Sequence, residues 1–581
     1  MHGRYSAWIW IGALALASCT NEVSSLVTPD FEPPVYGESN PPREQPLTCD
    51  ASALPAPTPL KRLSNEHYRN SIEFLFNDSV FAPAVSEAMA SNFSRLPPDR
   101  DTGQTFDSMD QRLTEEHVNV HFDMADALAT GVSATPDRLT ALAGACAGES
   151  TLSVECAESF IAQFGRRVFR RPLTDGEATR MLELRGDGSD PAAILGNMVF
   201  SFLMAPQFLY VFEDAGEAVE GDDRLSWLTP WELASRLSFT FWQGPPDDAL
   251  LDAVASGAFD DDEGYATYAR QIVEDPRSEL FVRSFFDQWY RIPEAVEFPN
   301  DPIFNTIARD VDVGPGLYGE MRAEAHALID EFARGDGAYR DLLTTPMVMT
   351  DSARLAGIYE VETWDGMSAP PQASTSPRPG ILTRSAVLLA TGTTNPILRG
   401  AFLRKEILCD ELEVPPDLPS EAFQFPPQQP DQSNRDVVDA KTNVEGCSFC
   451  HSLINPLGFS MEVYDGLGRY RTEEEVLDDA GEIVATVAID PLVTPQLDFG
   501  DTNTVDTIDQ LMSDIAEHPK TSACFARHLY RFAFRQDEDV TRDGCTLVTV
   551  RDALESGSIT DALVALVTDD GFKQRVVEDG Q

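Results

Sequence analysis

The chain has 581 residues, with 96 acidic against 43 basic side chains and a formal charge of −53. At 42% hydrophobic and 24% charged it has the make-up of a globular protein with a real core, which excludes a mostly disordered chain, a collagen-like fibre and a polytopic membrane protein. So acidic a surface repels polyanions, so nucleic acid is not an expected partner, and the charge is read as serving solubility and salt tolerance. The length suits roughly three to four folding units at about 150 residues each.

The chain opens with Arg4 and an apolar run from Ala7 to Ala17. As a helix that run covers about 17 Å, far short of a ~30 Å bilayer core. Residues 1–18 therefore read as a signal peptide. Leu16-Ala17-Ser18-Cys19 resembles a bacterial lipobox. That resemblance implies cleavage before Cys19, lipidation of its sulfur and a membrane partner reached through it. Thr20 in the following position, rather than Asp, implies the outer membrane. The expected location is the cell envelope, lipid-anchored, on the periplasmic or surface face. Residues 19–59 follow as a tether with nine prolines, a composition that favours extended conformations and does not fold alone.

From residue 60 the pattern is mainly helical. Ser64 is placed to cap a helix that carries Tyr68, Ile72, Leu75 and Phe76 on one face. Similar spacing recurs in 160–169, 192–212, 231–241, 265–290, 321–332 and 384–389, with Pro and Gly in the turns between, as at Asp275-Pro276. Strand-like alternation is sparse, and 482–489 carries the best example. A second Pro-rich stretch, 414–430, precedes a C-terminal module. The expected fold is mainly α, a multi-helix body with a small C-terminal helical module. Its expected divisions are an N-terminal helical domain (60–190), a central helical domain (191–360), a helical segment and Pro-rich linker (361–440) and the module (441–581).

Nine cysteines occur. Lipidation takes Cys19, and joint use of Cys447 and Cys450 leaves six, an even number suited to an oxidising compartment. Two local pairings are expected, Cys146 with Cys156 and Cys524 with Cys545. Cys49 with Cys409 remains and would fasten the tether to the body.

Cys447-Ser448-Phe449-Cys450-His451 is CxxCH, the attachment signature of c-type haem. Two cysteines three apart on one helical turn can bond both vinyl groups of a haem, and the next residue then offers its imidazole to the iron. Haem c is the expected cofactor, with His451 as the iron ligand and Gly446, Pro456 and Gly458 shaping the adjoining loop. The sixth ligand is open among Met512, His518, His528 and Met461. Met461, ten residues on, reads better as packing. The alternative is a haem-free binding or scaffold lipoprotein in which Cys447 and Cys450 form a disulfide.

The segment 447–471 (CSFCHSLINPLGFSMEVYDGLGRYR) resembles the C-terminal module of planctomycete-type cytochrome-c-like secreted proteins, built from consecutive domains of unknown function. The family pattern is CxxCH, then a Pro-Ile/Leu-Gly-Phe turn, Glu, Phe/Tyr-Asp and Gly-x-x-Arg. Here these are Pro456-Leu457-Gly458-Phe459, Glu462, Tyr464-Asp465 and Gly468 with Arg471; Asn455 stands where the family has Asp. Further blocks match at 63–75, 164–177, 206–251 and 378–408. The resemblance implies one haem at most and electron transfer or redox chemistry with an unidentified redox partner or envelope protein. Whether the chain is an enzyme stays open.

Other groupings read as structural. His117 and His121 sit four apart, as metal ligands can on a helix face, but lack an obvious third ligand. Arg166, Arg167, Arg170 and Arg171 suit helix-end charge compensation better than a dock for haem propionates. The acidic run 260–263 suits a solvated helix start. No phosphate-cradling Gly loop, HExxH or GxSxG turn is present, so hydrolase chemistry has no support.

Overall fold

Helices begin where a short polar side chain precedes an apolar repeat. Ser64 Oγ accepts from the His67 amide at 3.0 Å and starts the helix Asn65–Leu75. Asp261 accepts from the Gly264 amide at 2.7 Å, so the acidic run is a capped helix start. Thr229 and Glu232 close a capping box at the helix Pro230–Phe241. In this computed structural model 56% of residues are helical, and the protein is mainly α. It describes residues 46–577, apart from 51, 55–60, 100–105, 107–112, 214–215, 391–393, 413–423 and 445. The signal, Cys19, nearly all of the 19–59 tether up to Leu47 and much of the 414–430 stretch lie outside the described residues.

Two of the long expected helices are broken at proline. The 192–212 repeat is a helix Pro191–Leu203, a turn of helix Pro206–Leu209 and a strand Tyr210–Val211. The 265–290 repeat is Asp262–Glu274 and Glu279–Trp289, divided at Asp275-Pro276. In each case proline lacks the N–H that would continue the ladder and biases the preceding residue away from helix. Among the described residues the strands form three small sheets. The alternating segment is the strand Ile483–Ala488, antiparallel to Glu473–Leu477. The strand Asp222–Trp227 was not evident from alternation; it pairs antiparallel with Gln574–Val576. No described helix is long and apolar enough to cross a membrane.

The chain divides into two compact units. One comprises Leu47–Val282, Leu529–Val550 and Thr560–Gln581. Its core packs Met124, Leu128, Phe160, Phe164, Met198 and Phe202. Here the arginine knot is structural. Arg170, at a left-handed helix end with φ 59°, donates to the Gln207 and Tyr210 carbonyls at 2.6 Å. Arg171 forks onto Glu177 at 2.9 and 3.0 Å, and Arg166 pairs with Asp252. The other unit comprises Arg283–His528 and Arg551–Ile559 and contains the CxxCH segment.

Three disulfides join pairs of described residues, Cys49–Cys545, Cys146–Cys156 and Cys409–Cys524. The local 146–156 pairing is as expected. The expected 524–545 and 49–409 pairings are not made. Cys524 faces the segment before Cys409, its Sγ lying 3.2 Å from the Glu406 carbonyl, while Thr48 packs directly on Gly544. Tertiary placement overrides closeness in sequence.

Candidate functional site

The CxxCH segment opens the helix Ser448–Ser460, with Cys447 at its N-cap and Gly446 in the left-handed region at φ 87°. The His451 amide donates to the Cys447 carbonyl at 3.1 Å. Cys447, Cys450 and His451 therefore share one helical turn, at positions i, i+3 and i+4. Cys450 is a free thiol, whereas Cys447 is disulfide-bonded, so the expected alternative of a Cys447–Cys450 disulfide is not what the structure holds. Burial raises the Cys450 thiol above its ordinary value, against the opposing pull of Lys405. It is a neutral thiol at pH 7.

A hydrogen-bond chain fixes His451, which is 4% exposed. Its Nδ1 lies 3.0 Å from Asn455 Oδ1. The Asn455 amide nitrogen donates to Thr442 Oγ1 at 2.8 Å, and Thr442 Oγ1 in turn donates to the Val438 carbonyl at 2.8 Å. Asn455 also hydrogen-bonds the Asp439 carboxyl. With its nitrogen directed to these acceptors, Asn455 presents its oxygen to the ring and so orients it. The Asn that departs from the family pattern is thus the residue that sets His451.

The Pro456-Leu457-Gly458-Phe459 segment is helical, not the expected turn, and Pro456 and Gly458 do not shape a loop. Pro456 cannot bond the Ser452 carbonyl, which accepts instead from Gln496 Nε2 at 3.4 Å. Gly458 is there for contact. The helix Pro396–Phe402 crosses so closely that a Cβ on Gly458 would lie 1.8 Å from the Pro396 carbonyl oxygen, and one on Gly400 would lie 2.0 Å from that of Ile454.

Two buried arginines from the crossing segment hold the surroundings. Arg399 donates to the Met461 and Tyr464 carbonyls at 2.7 and 2.9 Å, closing the C-terminal end of the helix. Arg404, in the π-helical turn Leu403–Ile407, donates to the carbonyls of Leu453, Pro495 and Gln496 at 2.9, 2.7 and 3.0 Å and pairs with Asp410 at 2.9 Å. Neither was singled out from the sequence.

Beside His451 lies a cleft of about 290 Å³ whose lining includes Arg435, Asp439, Thr442, Asn455 and Gln496. None of the four sixth-ligand candidates lines it. Met461 lies at the far end of the helix, about 15 Å along the axis at 1.5 Å per residue. Met512 is fully buried in the helix Ile508–Glu517. His518 ends that helix, 3.3 Å from Asp498. His528 is 1% exposed, with its ring centroid 4.9 Å from that of Trp289.

Among the described residues the one group of three metal-binding side chains within ligand reach is Cys409, Cys524 and His528, and its two cysteines are disulfide-bonded. Among the described residues His117 and His121 join no group of three metal-binding side chains. They lie in the helix Glu115–Val132, with His121 against Tyr68 at 4.5 Å and its imidazole pushed down to about 4 by burial.

Glu462, 4% exposed, receives the Asn434 amide on both oxygens at 3.0 and 3.1 Å. Burial pushes its carboxyl up to about 7 against the pull of Arg471. A carboxyl raised in the folded state stabilises most below its unfolded value of 4.5 and loses that contribution as pH rises through 7. This group is expected to withdraw about 3 kcal/mol of stability across that window. Glu462→Gln should flatten the decline in denaturant midpoints over the same range; a variant with the wild-type slope would assign it to other groups.

Three family models match the chain. Residues 156–213 match PSD5, Protein of unknown function (DUF1595). Residues 228–361 match PSD4, Protein of unknown function (DUF1592). Residues 378–474 match PSCyt3, Protein of unknown function (DUF1588), and these include Cys447, Cys450 and His451. The succession is consistent with a planctomycete-type family of consecutive domains. No curated protein and no solved structure matches.

The donor set fits a c-type haem only in part: Cys450 is a free thiol on the same turn as His451, whereas Cys447 is disulfide-bonded in this structure and would have to be reduced before it could form a thioether. A bound haem would supply a one-electron iron centre. Cys450 and, once its disulfide is reduced, Cys447 would hold it, and Asn455 would orient its ligand His451.

Proposed function

We propose that this is an exported, lipid-anchored protein whose Arg283–His528 unit carries one covalently attached haem, used for electron transfer or for redox chemistry. The observation that carries this reading is the His451–Asn455–Thr442 hydrogen-bond chain beside Cys450, because a metal-ligating imidazole is usually oriented by such a partner. The name PSCyt3 of the model spanning these residues hints at a cytochrome-like domain and supports it. The lipobox-like Leu16–Cys19 supports export and an anchor at the cell envelope, the compartment in which c-type haem is attached. The partner would be a redox protein or another envelope protein.

Intact-mass analysis of protein matured in a host with c-haem attachment machinery tests the reading. One haem of added mass should survive denaturation and reduction and be absent when Cys447→Ala and Cys450→Ala are combined. An unmodified wild-type mass would leave a haem-free envelope protein.

A further inference from the structure

We infer that Glu462 and Glu474 form a proton-controlled clamp on Asn434, which holds the helix Asn434–Thr442 closed beside His451 while Glu462 is protonated and loosens it when both carboxyls are ionised. The clamp needs no haem: it acts on the cleft and on the hydrogen bonds that orient His451.

Convergence of two buried carboxyls on one residue carries it. Glu462 follows the helix that bears His451, Glu474 lies in the strand Glu473–Leu477, and they are 4% and 5% exposed. Both accept from Asn434, the first residue of its helix. The Asn434 backbone amide, one of those with no acceptor inside the helix, donates to Glu474 Oε1 at 2.6 Å. Its side-chain nitrogen donates to both oxygens of Glu462 at 3.0 and 3.1 Å. Two carboxyls sharing so small a buried space do not both ionise readily, because each charge opposes the other and neither is well solvated.

The other groups around the pair do not remove the conflict. Arg471 and Arg399 attract the Glu462 carboxylate. Yet Arg471 directs its Nε to the Glu462 backbone carbonyl at 3.1 Å, and Arg399 donates to the Met461 and Tyr464 carbonyls. Against these cations stand the charge of Glu474 on Glu462 and that of Asp436 on Glu474. Gln428 Nε2, 3.2 Å from Glu474 Oε1, brings no charge. Burial prevails: it pushes Glu462 up to about 7 and raises Glu474 as well. Glu462 therefore keeps its proton below neutral pH and gives it to solvent above.

The helix transmits the change. It is nine residues long, so displacement of its first residue reaches its last turn. Arg435, Asp439 and Thr442 line the cleft beside His451. Thr442 Oγ1 takes the Asn455 amide at 2.8 Å, and Asn455 holds the His451 ring at 3.0 Å. Loosening at Asn434 thus opens the cleft and frees the ring together. A carboxyl at about 7 when the clamp is closed and 4.5 when it is open favours the closed form at low pH, and that preference is lost as pH rises through 7.

Hydrogen exchange of the full chain, read by mass spectrometry and corrected for the intrinsic rate of each amide, tests the clamp. Protection over 434–443 should fall about tenfold between about pH 6 and about pH 8. The helix Pro230–Phe241, in the other unit, should keep its protection. Glu462→Gln should abolish the fall, and Glu474→Gln, which removes the opposing charge, should shift it to lower pH. Equal wild-type protection at both pH values would overturn the clamp. So would a fall shared by Pro230–Phe241, which would mark a general loss of stability, or one that persists unshifted in either variant.

Discussion

Gly458→Ala is expected to cost about 3 kcal/mol or more of unfolding free energy, the upper end of what overpacking does. The new methyl would lie 1.8 Å from the Pro396 carbonyl oxygen and 2.5 Å from its carbon. Both atoms belong to backbone, so no rotamer change relieves the clash, and the two helices must separate along a crossing that Gly400 makes equally tight. Gly446→Ala is the control. Its φ of 87° is unfavourable for alanine, but nothing lies within 4 Å of the added Cβ, so about 1 kcal/mol is expected. Denaturant melts of the two variants should therefore differ clearly. Equal losses would mean that conformation, not the helix crossing, is what glycine serves at 458.

Arg404→Ala is expected to cost about 3–5 kcal/mol, the range for breaking a buried ion pair by removing one partner. The side chain is 1% exposed. Its loss strips Asp410 of one of two cations, Lys520 remaining at 3.1 Å. It also leaves the Leu453 and Pro495 carbonyls without the donors they now have. Arg404→Lys should not rescue, because one ammonium cannot serve carbonyls and a carboxylate lying in several directions as a planar fork does. Since Thr494 and Gln496 line the cleft beside His451, amide exchange there should rise together with the loss of stability. A lysine variant as stable as the wild type would show that the charge, and not the fork, is what matters.

Much of the helical body was legible because its signals are local. Ser64, Thr229 and Asp261 announce helix starts through caps that need only a few neighbouring residues. The CxxCH spacing likewise placed Cys447, Cys450 and His451 on one turn, as observed. What escaped depends on contacts distant in sequence. Pro456 and Gly458 read as a turn because proline and glycine usually break helices. Here Gln496 takes over the carbonyl Pro456 leaves, and a crossing helix demands the glycine. Cys524 pairs with Cys409, 115 residues away, rather than with nearby Cys545. Arg399 and Arg404 fall in the matched 378–408 block, yet nothing in their spacing reveals that they clasp carbonyls of 453–497. Asn455 was visible only as a departure from Asp, and its bond to His451 is what gives the departure meaning.

The central claim is that the turn bearing Cys447, Cys450 and His451 holds a haem covalently. Pyridine haemochrome spectra of the full chain and of its Cys450→Ala variant, both matured with c-haem attachment machinery, test it most directly. The account predicts one haem per wild-type chain with a c-type α band, and a shifted or absent band in the variant because one or both thioethers are missing. A wild-type protein with no haem and an unmodified Cys450 thiol would contradict it.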